Sequence, residues 1–206
     1  MKSHFLSESC FIYNISDRLD LDDNLKILQI YNDILLDKYF MAQNKIYDLV
    51  PAYNSLAFHA NLVDLKLFEK AVLSRIESVD FTKELPSKIH YINVVYDGVD
   101  LTNISKKLNL SINEIIKRHT LKEYHISMLG FKPYFPYLLG LDESISLPRL
   151  AIPRNRVPKG SVGIGGSQTT VFPQETPSGW NIIGNTSFND FASFNAGDKI
   201  IFRDIG

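Results

Sequence analysis

Cysteine is nearly missing from this chain: Cys10 stands alone among 206 residues. An intramolecular disulfide is therefore impossible, and a cysteine-rich zinc site is excluded. The five histidines (His4, His59, His90, His119 and His125) form no H-E-x-x-H and no close ligand pair. Net charge is also lacking, at −1, so no general attraction to nucleic acid or anionic lipid follows, and binding of either kind would need a local patch. No apolar run approaches the ~18 residues of a membrane span. The N-terminal stretch lacks the apolar core of a signal peptide. A reduced, cytoplasmic setting without a membrane partner is the expectation. Internal repeats and low-complexity tracts are absent too.

What is present is an ordinary globular composition, 45% hydrophobic and 22% charged. Area scaling puts roughly 24,000 Å² out of water on folding, enough for an independent core. The length allows one large domain or two small ones.

Residues 1–85 read as a small α/β unit. Cys10 to Ile15 is short, aromatic and β-branched, which suits a strand. Leu21, Leu25, Leu28, Leu35 and Tyr39 keep helical spacing behind an acidic start at Asp20, Asp22 and Asp23, where the helix dipole favours negative charge. Strands are expected at Ile46–Val50 and Ser55–His59, then a second amphipathic helix from about Asn61 to Val79. His59 reads as a packed or edge strand residue. The polar connection Phe81–Lys88, with Pro86, marks a boundary, and residues 86–206 read as a second domain.

That domain opens with a clear strand, Ile89 to Tyr96. Two short helices follow, the second starting at Ser111-Ile112-Asn113-Glu114, a capping-box sequence with Leu110 and Ile115 placed as a hydrophobic staple. The pair has helix-turn-helix spacing with Lys106, Lys107, Lys117, Arg118 and Lys122, but a helical hairpin with a solvated basic face is the better reading, and nucleic acid is not an expected partner. Short strands are expected at Tyr124–Met128, Ser161–Ile164, Thr169–Phe172, Trp180–Ile183 and Lys199–Phe202. Many short strands with one helical insertion suggest a closed or nearly closed β-barrel.

Gly130 to Thr186 holds every one of the nine prolines except Pro51 and Pro86, and also the sole tryptophan, Trp180. Such density describes shaped loops. Gly160 to Gln168 invites phosphate-loop readings, and each fails. A Walker pattern needs lysine at Gly166, G-x-G-x-x-G needs glycine at Gln168, and G-x-S-x-G around Ser167 needs glycine at Thr169. Arg149, Arg154 and Arg156 alternate with Pro148, Pro153 and Pro158, with no carboxylate between them. Their planar forks suit carboxylate or phosphate. Gln168 adds an amide, His119 is a group that titrates near neutrality when unperturbed, and Glu175 is the one carboxylate between Arg149 and Thr186.

At these residues the chain resembles the family of allophanate hydrolase subunit 1 and the B-type subunit of 5-oxoprolinase, which is related to a sporulation-kinase inhibitor of Bacillus. Val50-Pro51-Ala52-Tyr53 with Ser55-Leu56, Gly130-Phe131-Lys132-Pro133 with Phe135-Pro136-Tyr137-Leu138, and Pro148-Arg149 carry the likeness. Pro153-Arg154, Arg156-Val157-Pro158, Gly160 to Ile164, Gln168 and Gly179-Trp180 extend it over nearly the whole chain. The sequence departs from the family pattern at Tyr134 and Ser178, where glycine is expected, at Gly165-Gly166, where Ala-Gly is common, and in the shortened Tyr96–Leu101 segment.

The resemblance implies an α+β architecture, a small N-terminal α/β domain followed by a cyclophilin-like β-barrel. It implies an enzyme subunit, inactive alone, that acts with a homologous C-type subunit and an A-type subunit to open 5-oxoproline to glutamate using ATP, bound by this chain or by the complex. On that model His119, Arg154, Arg156 and Gln168 are catalytic candidates. Phe131, Pro133, Phe135, Tyr137, Arg149, Ser161, Gly163, Gly165 and Trp180 are candidates for binding a small amide substrate. The alternatives are a subunit of a related amide hydrolase of the allophanate type and a regulator that inhibits a sensor histidine kinase.

Overall fold

The computed structural model describes residues 2–61 and 64–206. They fall into two compact units divided between Pro86 and Ser87. Among the described residues no helix is long and apolar enough to cross a membrane.

The first unit runs β1 (Lys2–Ser7), β2 (Cys10–Asn14), α1 (Leu21–Leu36), α2 (Lys38–Gln43), β3 (Ile46–Pro51), β4 (Ser55–Ala60) and α3 (Leu65–Glu77). Its antiparallel sheet has the order β1-β2-β4-β3. Phe11 and Phe58 face the helices and meet Phe68 of α3 at 5.8 and 6.5 Å between ring centroids. These rings, with Ile27, Ile30 and Ile34 of α1, form its core. Asp20 caps α1 by accepting the amide protons of Asp22 and Asp23.

The single helix expected through Tyr39 is in fact two. Asp37 breaks it, accepting the amide proton of Phe40 at 2.9 Å and the Nε proton of Arg75 at 3.1 Å. The helix expected from Asn61 begins at Leu65, with Asp64 as its cap, and Leu62 and Val63 lie outside the described residues. His59 sits on an inner strand, 6.2 Å from the Tyr47 ring.

The second unit is a strongly curved sheet of seven strands. In chain order come β5 (Ile89–Val94), α4 (Leu101–Leu108), α5 (Ile112–Thr120), β6 (Glu123–Leu129), β7 (Pro136–Leu139), β8 (Arg154–Val157), β9 (Ser161–Gly165), β10 (Gln168–Val171), β11 (Thr176–Ser178), β12 (Asn181–Asn185) and β13 (Lys199–Asp204). The sheet order is β12-β9-β10-β7-β6-β13-β5, with β8 and β11 as a separate ribbon. All pairings are antiparallel except β13 with β5. The two outer strands approach through Val95 and Asn185, which exchange amide–carbonyl bonds of 2.9 Å, so the barrel is nearly closed.

Alternation along the strands sends one set of side chains inward and the other outward. Val162 and Ile164, Leu138, Tyr124, Ile126, Ile200 and Phe202 fill the barrel, and Leu101, Ile104 and Ile115 of the helical hairpin close its end. The opposite face carries a smaller cluster of Phe135, Val157, Phe172, Trp180 and Ile182, with Tyr137 against it. Only half of the capping box forms. Ser111 accepts the Glu114 amide proton, while the Glu114 carboxylate takes the Nε proton of Arg118 at 2.9 Å.

Candidate functional site

Gly163 and Gly165 lie on the face of β9 opposite the barrel core, and their lack of side chains has a definite use. A Cβ at Gly165 would sit 3.0 Å from both the Trp180 ring and the Arg149 side chain, and one at Gly163 would sit 3.2 Å from Trp180. The indole therefore rests directly on the β9 backbone. Its ring faces the Arg149 guanidinium carbon at 4.7 Å from the centroid, a cation–π stack. Tyr137 lies 6.2 Å from Trp180 and 5.2 Å from Phe135. Burial raises the phenol pKa of Tyr137, and the nearby positive charge of Arg149 opposes that shift.

The structure thus gathers Tyr137, Phe135, Arg149, Gly163, Gly165 and Trp180 on one face. Gln168 opens β10 directly opposite Gly165. Ser161 begins β9 on that face and is buried. Phe131 and Pro133 stand in the exposed loop before β7, and the Phe131 ring meets Phe135 edge-on at 5.8 Å.

The three arginines part company. Arg154 donates through Nη2 to Asp100 Oδ1 at 2.6 Å and reaches the Trp180 carbonyl at 3.4 Å. The other oxygen of Asp100 accepts the amide proton of Ile182 at 2.7 Å. Asp100 is buried, so one carboxylate locks a guanidinium and a strand together beneath Trp180. Arg156 instead forms a two-pronged pair with Glu175, 3.0 Å on each arm, and its side chain is 78% exposed. No carboxylate lies between the three arginines in the sequence, yet Arg154 and Arg156 each find an acidic partner outside that stretch, Asp100 and Glu175. Arg149 makes no ion pair among the described residues.

His119 does not titrate near neutrality. It lies fully buried on the barrel side, and desolvation pushes its pKa down to about 3, so it is neutral at physiological pH. Its Nδ1 is 2.7 Å from the Tyr96 hydroxyl and its Nε2 is 2.9 Å from Thr169 Oγ1. Thr169 donates onward to the Gly163 carbonyl at 3.1 Å. With that proton committed, Thr169 accepts from Nε2–H, and Nδ1 accepts from Tyr96. The chain of bonds ends at the glycine floor beneath Trp180. His119 braces the site from behind. Among the described residues no group of three or more His, Cys, Asp or Glu side chains is placed to hold a metal ion.

Sequence reasoning missed Asp100. Its signal was present, an acidic residue just before a helix, which reads as an ordinary N-cap. Asp100 makes no side-chain cap bond in the structure.

A family model described as carboxyltransferase domain, subdomain C and D, matches residues 1–200. Relatives named as the B-type subunit of 5-oxoprolinase match as well. The Bacillus subtilis (strain 168) protein of that name is 38% identical over 154 residues, 68% of this chain and 64% of the relative. The Escherichia coli O157:H7 protein of that name is 46% identical over 111 residues, 52% of this chain and 51% of the relative. This chain belongs to the family of the 5-oxoprolinase B-type subunit and allophanate hydrolase subunit 1.

The matches span about half to two thirds of those relatives, 51% and 64% of their lengths. The crystal structure of TTHA0988 superposes with a TM-score of 0.80 at 26% identity, covering 96% of this chain and 40% of that one. The α+β class and the barrel domain are those expected of the family.

Family membership gives one departure a physical meaning. Tyr134, at a position where the resemblance leads one to expect glycine, carries φ 61°. That is the left-handed region, open to glycine at little cost. Ser178, the other such position, is buried instead, and its hydroxyl accepts the amide proton of Trp180 at 3.2 Å.

Proposed function

We propose that this chain is a subunit of an ATP-dependent 5-oxoprolinase and that the Trp180 face holds the substrate. Relatives named as 5-oxoprolinase subunits support the reaction class. The observation that carries the site is Arg149, a guanidinium stacked on Trp180 beside Tyr137, with no carboxylate pairing it among the described residues. 5-Oxoproline is a small five-membered lactam with a planar amide and one carboxylate. Arg149 holds that carboxylate with its planar fork and Tyr137 receives the ring, while Trp180, only 3% exposed, backs the guanidinium. Gln168 is the amide group at hand to orient the lactam. Arg154, held by Asp100, acts through Trp180 as a positioning residue.

ATP supplies the energy for ring opening in this reading: its γ-phosphoryl group passes to the lactam oxygen with release of ADP, and water then adds to the activated carbon, the C–N bond breaks and phosphate leaves. The glycine segment does not fit its phosphates. The open face of Gly163 and Gly165 is filled by Trp180, and β9 pairs along both its edges, with β10 and β12. A phosphate cradle needs backbone N–H groups turned toward the ligand. ATP is therefore assigned to the rest of the complex, with the A-type subunit and the homologous C-type subunit as the partners.

Co-purification with the A-type and C-type subunits, followed by 5-oxoproline-dependent ATP hydrolysis, tests the assignment. Turnover that drops at least ~100-fold in Arg149→Ala, a loss of about 2.7 kcal/mol in transition-state stabilisation, is the expected result. Failure of the three chains to associate, or turnover indifferent to Arg149, sinks it.

A further inference from the structure

The loop between β6 and β7 has a backbone that its side chains oppose. Phe131 has φ 67° and Tyr134 has φ 61°, two residues with a Cβ in the left-handed region within four positions. L-residues disfavour that conformation, and bulky ones strongly so. Three backbone bonds hold the loop in place: Lys132 N–H to Gly130 O at 2.8 Å, Phe135 N–H to Lys132 O at 3.1 Å, and Gly130 N–H to Phe135 O at 3.1 Å.

The two rings regain little of this cost by packing, since Phe131 is 62% exposed and Tyr134 is 48% exposed. Strain of this kind persists where a surrounding structure imposes it, and it concentrates at ligand clamps. The loop is joined to the substrate face by a run of rings. Phe131 meets Phe135 at 5.8 Å, and Phe135 lies 6.4 Å from Trp180, whose ring carries Arg149. Its one charge is Lys132, whose Nζ lies 5.8 Å from the Phe131 centroid. The loop therefore offers exposed aromatic faces and a cation beside a site whose own exposed cation is Arg149 and whose partly buried ring is Tyr137, Trp180 being only 3% exposed.

We propose that Gly130–Phe135 is a ligand-contacting lip, in which Tyr134 and Phe131 supply the outer aromatic wall over an anionic five-membered ring bound at Arg149 beside Tyr137. The unrecovered strain at Tyr134 is offset when the ligand is in place, and the ring determines how tightly planar carboxylates are held. This rests on the reading of the Trp180 face given above, and it adds a second wall and a ligand class that extends beyond 5-oxoproline.

Trp180 is the sole tryptophan, so tryptophan emission, excited selectively over the ten tyrosines, reports this face alone. Wild type is titrated with 5-oxoproline and separately with pyrrole-2-carboxylate, a planar anionic probe. Tyr134→Gly removes the ring and relieves the backbone, and Phe131→Asn keeps a residue that tolerates positive φ while removing the other ring. Each variant is expected to weaken the wild-type response by up to about tenfold in Kd, the scale of one aromatic contact. The unfolding temperature of Tyr134→Gly is expected to be unchanged or higher.

Unaltered Kd in both variants overturns the lip. A fall in the unfolding temperature of Tyr134→Gly makes that ring a folding element and overturns it as well. A response to pyrrole-2-carboxylate but not to 5-oxoproline, weakened by both variants, keeps the lip and refutes the substrate assignment. Silence toward both ligands in wild type overturns both readings.

Discussion

The Arg149 guanidinium lies over the Trp180 ring at 4.7 Å, and both side chains pack closely on the backbone of Gly165, which has no side chain of its own. A cation held by a π-face keeps all of its N–H donors in its own plane, directed outward. Arg149→Lys retains the charge but loses the fork. It is expected to weaken 5-oxoproline binding by roughly tenfold, with a change in stability within about 0.5 kcal/mol because the residue is exposed. Titration of Trp180 fluorescence and a urea unfolding curve check the two parts. Equal affinity in the lysine variant would show that charge alone suffices.

Gly165→Ala places a methyl group 3.0 Å from the indole and from the Arg149 side chain. Trp180 has to lift from β9, at a cost of about 1–3 kcal/mol for overpacking. A shifted Trp180 emission maximum and a lower unfolding midpoint are expected. Spectra indistinguishable from wild type would mean that the indole does not rest on this strand.

Asp100 satisfies both the Arg154 guanidinium and the Ile182 amide from a buried position. Removing it leaves an orphan amide and a cation without its counter-ion. Asp100→Ala is expected to destabilise the chain by about 3 kcal/mol, the scale of breaking one partner out of a buried pair. Arg154→Met, which leaves the Asp100–Ile182 bond intact, should cost less. Chemical denaturation of the two variants gives the order, and the reverse order would assign the larger role to Arg154.

His119 has its folded pKa depressed to about 3, against 6.5 for the free side chain. The unfolded chain therefore binds one more proton than the folded chain between those values. Stability contributed by neutral His119 is fully present above about pH 6.5 and is lost as pH falls toward 3, with a limiting slope near 1.4 kcal/mol per pH unit. His119→Gln should remove that slope from the unfolding free energy measured between pH 6 and pH 4.5. A variant with the wild-type slope would place the titration on another group.

Arg156, paired with Glu175 on the surface, is expected to be dispensable. Arg156→Ala should leave turnover of the reconstituted complex within about twofold of wild type. A loss comparable to that of Arg149→Ala would bring Arg156 into the site.

The barrel was legible because its strands are short, β-branched and punctuated by turn residues, and β6, β9, β10, β12 and β13 lie within one or two residues of expectation. The misses have physical causes. β7 and β8 begin at or just after proline, and β11 contains Pro177, so turn signals masked them. The Asp37 break was hidden because Leu35 and Tyr39 keep helical spacing across it, while Arg75, the cation that engages Asp37, is 38 residues away. The acidic partner of Arg154 is 54 residues distant, and no local composition reveals it. For His119 there was a usable sign: it follows Ile115 by four positions and so shares its buried helix face. The aromatic and glycine clusters of the site were visible as motifs, but only the strand alternation puts Trp180 against glycine and Thr169 against His119.

The barrel's last strand has consequences for how the domain is made. β13 sits between β6 and β5, and its pairing with β5 joins Lys199 to Ile89. During synthesis β5 emerges early and has no neighbour in the sheet until β13 follows, apart from the single bridge at Val95. Closure thus requires contacts across more than half of the chain, which slows folding and leaves strand edges exposed while it waits. Translation halted before Lys199 would release a sheet with β5 unpaired and β6 as a raw edge, a substrate for chaperones and proteases more than for assembly.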